Sequence, residues 1–296
     1  MSTERPTIGG GVAPVVHLPL DDTGCIDFAQ IRALVDRLVA AGVDGLVVLG
    51  LATEPWTLDP AERRDLTRAV VEAADGRVTV IAGVDGSTAE VNQNALLRLE
   101  DGADALMVRV PDPAQLRSHC AALASAELPV VIQDAPAATG VELATGQLIA
   151  TFQEMDHIAA VKVERPAGGP RVTELVDAHV PVIAGWGGLH YTEQLRRGVI
   201  GCMPGSDLGP AFVRIHRLAT TGQCDRAESL YRKLLPLLAY EAQSLPLLIQ
   251  SAKMALVRFG VFGSSALRDG DAPDAVQVAT LGKLFSLMST EGVPGW

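Results

Sequence analysis

Lysine is scarce in this chain. Only Lys162, Lys233, Lys253 and Lys283 occur in 296 residues, so arginine supplies the other twenty of the 24 basic side chains. Arginine serves wherever plain positive charge is enough, and each retained lysine asks for a reason. Long apolar runs are missing too. None reaches the roughly 18 residues of a membrane span, and the opening MSTERPTIGG lacks the charged-then-apolar pattern of a signal peptide. The expectation is no membrane and a cytoplasmic location. With a formal net charge of −11 and no basic patch, a nucleic-acid partner is not expected. The four cysteines, Cys25, Cys120, Cys202 and Cys224, are widely spaced with no CxxC pair, which excludes a disulfide framework or a zinc knuckle. The histidines form no HxH or HExxH pattern, no GxGxxG follows the first apolar run, and no GxSxG elbow occurs. Neither a metal nor a cofactor is expected.

What the chain does contain is alternation. Short Val/Ile-rich runs at 12–16, 45–49, 78–82, 105–108, 130–133, 159–163, 182–185 and 201–203 are separated by segments of helical period such as 27–41, 61–74, 89–101 and 191–197. Near-continuous apolar strands separated by helices indicate a parallel sheet covered on both faces. Eight such units fit a closed (β/α)8 barrel, a TIM barrel, better than an open sheet. Asp59-Pro60 supplies a helix cap with proline in the first turn. After the eighth strand only helical periods remain, at 212–220, 227–240 and 247–259. The expected organisation is a catalytic barrel over 1–220 with a helical extension over 221–296 packed on it.

Lys162 lies inside the apolar run Ile158-Ala159-Ala160-Val161-Lys162-Val163. Burial there penalises the ammonium form, and a neutral amine attacks a ketone to form an imine, an electron sink for the neighbouring carbon. The alternative is a strand-end lysine that snorkels to solvent. Glu164 is two residues on and, by strand alternation, on the same face. It is either an acid/base group beside an imine or an ion-pair partner. The turn Gly50-Leu51-Ala52-Thr53-Glu54 follows the second strand, where backbone N–H groups suit a substrate carboxylate. Gln133 and Asp134 close the fifth strand, and Gly185-Trp186-Gly187-Gly188-Leu189-His190-Tyr191 follows the seventh. Glycines there permit close backbone approach to a ligand. Trp186 is a candidate pocket wall, and His190 and Tyr191 are either proton shuttles or simply the start of the next helix.

Together, Ala13-Pro14, the glycine-to-glutamate turn, Gln133-Asp134-Ala135-Pro136, Lys162 in strand six, and Ala252-Lys253-Met254 followed by Gly260 and Arg268 resemble the dihydrodipicolinate synthase/N-acetylneuraminate lyase family over nearly the whole chain. The resemblance implies Lys162 as the imine lysine. The chain departs from the family at informative places. Ala52 replaces the hydroxyl that relays a proton, and Gln133 replaces a tyrosine. Ala138 stands where dihydrodipicolinate synthases carry an arginine, and Val110-Pro111-Asp112-Pro113 lacks the paired tyrosine. Gln133-Asp134-Ala135-Pro136, Lys162-Val163-Glu164-x-Pro166 and Gly201-Cys202-Met203-Pro204-Gly205 look most like the 2-keto-3-deoxy-L-arabonate dehydratase branch.

The resemblance therefore implies a cofactor-independent lyase acting on a 2-oxo acid. Its catalytic residues are Lys162, Glu164 and Gln133. Gly50, Leu51, Ala52, Thr53, Asp134, Gly185, Trp186, Gly187 and Met203 face the substrate. Dehydration or aldol cleavage of a 2-keto-3-deoxy sugar acid is expected. Condensation of pyruvate with aspartate semialdehyde, or a silent protein that only binds a 2-oxo acid, are the alternatives. The family habit also implies a homodimer or homotetramer.

Overall fold

The computed structural model describes residues 7–270 and 272–295. In chain order its strands are β1 (Gly11–Val12), β2 (Gly45–Val48), β3 (Thr79–Val84), β4 (Ala105–Val108), β5 (Val130–Asp134), β6 (Ile158–Val163), β7 (Val182–Ala184) and β8 (Gly201–Cys202). The helices of the barrel are α1 (Phe28–Ala41), α2 (Pro60–Ala74), α3 (Thr88–Glu100), α4 (Leu116–Ala122), α5 (Pro136–Thr139), α6 (Thr145–Glu154), α7 (Gly169–Asp177), α8 (Tyr191–Arg196) and α9 (Gly209–Thr220). The extension is α10 (Cys224–Glu241), α11 (Leu245–Arg258) and α12 (Ala275–Thr290).

The strands form one parallel sheet in the order β1-β8-β7-β6-β5-β4-β3-β2. A parallel bridge between Val15 and Val47 joins its two ends and closes the barrel. This explains why the run at 12–16 does not pair as one strand. Pro14 has no N–H to donate, so the ladder stops at Val12 and resumes at Val15, which bridges to both Val47 and Gly205.

The apolar strands divide their side chains between two cores. Val15, Val47, Ile81, Met107, Val131, Ala160, Ile183 and Met203 fill the barrel lumen. Leu46, Val48, Ala82, Leu106, Ile132, Val161 and Val163 belong to the larger layer between sheet and helices. The Asp59-Pro60 start of α2 forms as expected, with Asp59 and Glu62 in a reciprocal capping box. β3 runs two residues beyond its expected end, because Gly83 lets the chain after β2 fold against it. A Cβ at Gly83 would lie 2.1 Å from the Leu49 carbonyl oxygen. Leu49 itself turns left-handed, with φ 58°, and starts the turn that enters the site.

The extension adds a helix that periodicity does not bound. In α12, Leu281, Phe285 and Met288 are buried on one face, but Val276, Val278 and Leu287 are exposed on the others. Apolar residues all round blur the period. Among the described residues, no helix is long and apolar enough to cross a membrane.

Candidate active site

Strand alternation carries Lys162 into the lumen with Ala160, and only 2% of its surface is exposed. Glu164 follows on the same side at the carboxyl end of β6, with its Oε2 2.9 Å from Lys162 Nζ. Gln133 is the register partner of Lys162 on β5. Its Nε2 donates to Glu164 Oε2 at 2.6 Å. The three predicted catalytic side chains are therefore in one hydrogen-bonded group. Burial by itself raises the Glu164 carboxyl. The Lys162 charge and hydrogen bond, the Gln133 amide and Arg109 outweigh it and hold the group below the usual carboxylate range.

Arg109 extends this group. It follows Ala105 and Met107 at alternate positions and emerges one residue past β4. Its Nη1 donates to Gln133 Oε1 at 3.3 Å, and it pairs with Asp85 past the end of β3. The sequence reading missed both residues. The inward parity of Arg109 with Ala105 and Met107 was the available signal.

The turn after β2 is a short 3-10 turn over Leu51–Thr53, flanked by Gly50 and by Glu54 in a left-handed conformation. Thr53 N–H bonds back to the Gly50 carbonyl, so the amides of Leu51 and Ala52 open the turn with no partner inside it. The Thr53 hydroxyl is buried and donates to the Val16 carbonyl at 2.7 Å, tying the turn to the first strand. Glu54 reaches into the extension and forms a fully buried ion pair with Lys253 of α11, which also donates to the Ala266 carbonyl at 3.0 Å. Burial pushes the Glu54 carboxyl up and the Lys253 amine down, with their mutual attraction opposing both. Lys253 is thus one retained lysine whose place is explained by a buried acidic partner.

After β7, Gly185 lies against the site. A Cβ there would sit 2.7 Å from the Cβ of Glu164 and 3.0 Å from the Val163 carbonyl oxygen. Trp186, Gly187 and Gly188 all have positive φ. Trp186 and Gly187 line a cavity of about 180 Å³ together with Leu51, Ala138 and Glu164. The far wall comes from α10, α11 and the chain between them, including Glu241, which sequence reasoning did not single out. Its place on that wall depends on how the extension packs, which no local pattern encodes.

Of the predicted residues, Leu51, Glu164, Trp186 and Gly187 line this cavity, and several others lie away from it. Asp134 alternates out of the lumen, where its carboxylate meets Arg171 of α7 at 2.7 Å and Arg165 at 3.9 Å. Met203 packs in the lumen and lines a smaller cavity at the amino ends of the strands, with Gly45, Thr79 and Ile200. Tyr191 is fully buried in the layer between sheet and helices, where its hydroxyl is 2.5 Å from His216 Nδ1. His190 precedes α8 as its cap residue. Among the described residues, no group of three or more His, Cys, Asp or Glu side chains is placed to hold a metal ion.

The sequence model of the dihydrodipicolinate synthetase family matches residues 9–273. An L-2-keto-3-deoxyarabonate dehydratase from Azospirillum brasilense is 30% identical over 273 residues, which is 87% of either chain. A 4-hydroxy-tetrahydrodipicolinate synthase from Methanococcus maripaludis is 30% identical over 245 residues, or 77% of this chain and 81% of that one. The crystal structure of a dihydrodipicolinate synthase from Rhodopseudomonas palustris superposes with a TM-score of 0.88 at 26% identity, covering 95% of this chain and 99% of the other.

Proposed function

Because the chain belongs to the dihydrodipicolinate synthetase family, we propose that it is a Schiff-base-forming lyase of 2-oxo acids, a dehydratase or aldolase of 2-keto-3-deoxy sugar acids. The observation that carries this reading is the 2.9 Å contact between Lys162 Nζ and Glu164 Oε2, buried beside a cavity of substrate size. Proton transfer across that contact gives a neutral amine and a carboxylic acid. The amine adds to the C2 ketone of the substrate, and Glu164 protonates the resulting hydroxyl so that it leaves as water. The protonated imine then acidifies C3. Glu164, again a carboxylate, removes that proton, and the enamine expels hydroxide from the next carbon. Retro-aldol cleavage to pyruvate uses the same imine. The Leu51 and Ala52 amides, unpartnered within their turn, suit the substrate carboxylate. Gln133 does not titrate, so in this reading it orients Glu164 and leaves the proton work to it.

The matches to 4-hydroxy-tetrahydrodipicolinate synthases support a second reading, condensation of pyruvate with aspartate semialdehyde. Ala138 argues against it. It lines the cavity at the position where the resemblance expects an arginine, and it offers a second carboxylate no cation. Borohydride trapping with pyruvate and with 2-keto-3-deoxy-L-arabonate, read by mass spectrometry, tests the imine. Reduction should attach the acid to Lys162. An adduct that survives Lys162→Ala, or no adduct at all, sinks the mechanism. A homodimer or homotetramer acting in the cytoplasm completes the proposal, and light scattering of the purified chain tests the assembly.

A further inference from the structure

We propose that Glu241, contributed by the helical extension, is a further substrate-contacting residue of this site and hydrogen-bonds a hydroxyl at the end of the substrate remote from the imine. The proposal rests on the imine reading above and adds the residue that meets the hydroxylated tail of the 2-oxo acid.

The argument starts from the cavity walls. They are largely apolar, from Leu51, Ala138, Trp186, Leu238, Leu245 and Leu248. The ionisable groups on them are Glu164, half-buried at the end of the barrel strand, and Glu241, buried at the last residue of α10. At about 180 Å³ the space is smaller than the ~300–1,000 Å³ of pockets for drug-sized ligands, and suits one small acid. A molecule bound to Lys162 beside Glu164 therefore extends towards the wall that holds Glu241.

Glu241 is also held unlike the other buried acids. The buried carboxylates of Glu54, Asp101 and Asp134 each meet a lysine or arginine. Among the described residues, no ion pair reaches Glu241 or Asp207. Glu241 is 4% exposed, and its Oε1 accepts from the Ser251 hydroxyl at 2.7 Å. Asp207, 2% exposed and just after β8, presses its negative charge on Glu241, and its own Oδ2 has no hydrogen-bond partner. Two buried carboxyls without a cation resist being ionised together. Burial, then repulsion from Asp207, raises the Glu241 carboxyl against the Ser251 bond, and burial pushes Asp207 up to about 7 against the pull of its own and the Leu208 amides. A neutral carboxylic acid both donates and accepts, and so does a hydroxyl. A buried acid that meets the Ser251 hydroxyl but, among the described residues, no cation is costly to the fold, and a bound hydroxyl gives it a further partner.

The test compares Glu241→Ala and Glu241→Gln with the wild-type chain, using pyruvate, which has no tail, and 2-keto-3-deoxy-L-arabonate, which has one. Circular dichroism establishes that each variant is folded. Glu241→Ala should lower kcat/KM for the sugar acid at least tenfold more than it lowers the rate of borohydride trapping with pyruvate. Glu241→Gln, which keeps a donor and an acceptor, should recover most of that difference. Equal losses with the two acids, or no loss with either, overturn the proposal and leave the imine intact. Absence of any Lys162 adduct in the wild type defeats the imine reading and this proposal together.

Discussion

Arg109 donates to the side-chain carbonyl of Gln133 at 3.3 Å, and this fixes which end of the amide faces Glu164. With the oxygen held by arginine, the NH2 points at the carboxylate, 2.6 Å away. The chain Asp85, Arg109, Gln133, Glu164, Lys162 is thus ordered by charge from the rim of the barrel to the lysine. Arg109→Met removes the charged donor that holds the Gln133 oxygen, and frees the amide to rotate. We expect kcat to fall roughly tenfold, the scale of one lost hydrogen bond of about 1.5 kcal/mol to a charged group. Trapping of pyruvate on Lys162 should persist. Steady-state kinetics beside borohydride trapping checks this, and equal loss of both would point to a collapsed site instead.

Gly185→Ala probes a close approach of backbone to Glu164 in the site. The new methyl would lie 2.7 Å from Glu164 Cβ, an atom too close to the main chain to swing away. Displacing a reacting group by about 1 Å costs on the order of 100-fold. The expected result is a comparable fall in kcat, with destabilisation of about 1–3 kcal/mol from overpacking, read by urea unfolding.

Much of this site was legible because strands alternate. Once Lys162 is placed inward, Glu164 follows at two residues, and both do so in the structure. The same rule sets Asp134 opposite to Gln133, and there the motif misled: the two residues read as one element, yet one side chain enters the lumen group and the other meets Arg171. Arg109 was readable by its spacing from Met107, but the irregular Arg109-Val110-Pro111 stretch hid it at a strand end. Glu241 was not readable, because only tertiary packing decides which end of α10 reaches the cavity. The eight strands stood out through their apolar, β-branched runs, whereas α12 has apolar residues on several faces and so no clean period.

The depressed Glu164 carboxyl sets a pH dependence. Its folded value lies below the usual one, through Lys162, Gln133 and Arg109 acting against burial. A group depressed in this way stabilises the fold at pH values above its unfolded value of about 4.3, and that contribution is lost as pH falls through the lower folded value. Urea unfolding from pH 7 to pH 3 should show a stability difference between wild type and Glu164→Gln that is constant near neutrality and shrinks only below about pH 4.3. In catalysis, Glu164→Gln should form the trapped imine more slowly, because Glu164 also carries the proton in that step, and should lose ~100- to 10,000-fold in turnover, the usual range for a missing general base.

Lys253 and Glu54 join the extension to the turn proposed to hold the substrate carboxylate, so breaking that pair tests whether the extension supports the site. Both side chains are almost wholly buried, and among the described residues the ammonium's other hydrogen bond goes to the Ala266 carbonyl. Lys253→Met leaves Glu54 as a buried charge without its cation. Removing one partner of a buried pair costs about 3–5 kcal/mol, mostly for the charge left behind. Lys253→Met combined with Glu54→Gln removes that charge as well, and should be more stable than Lys253→Met alone. The coupling in a double-mutant cycle separates the pair from its surroundings. Because Glu54 ends the Leu51–Thr53 turn in a left-handed conformation, the double variant should also weaken pyruvate trapping on Lys162 even where its stability recovers. Recovery of both together would mean that Thr53, bonded to the Val16 carbonyl, holds the turn without help from the extension.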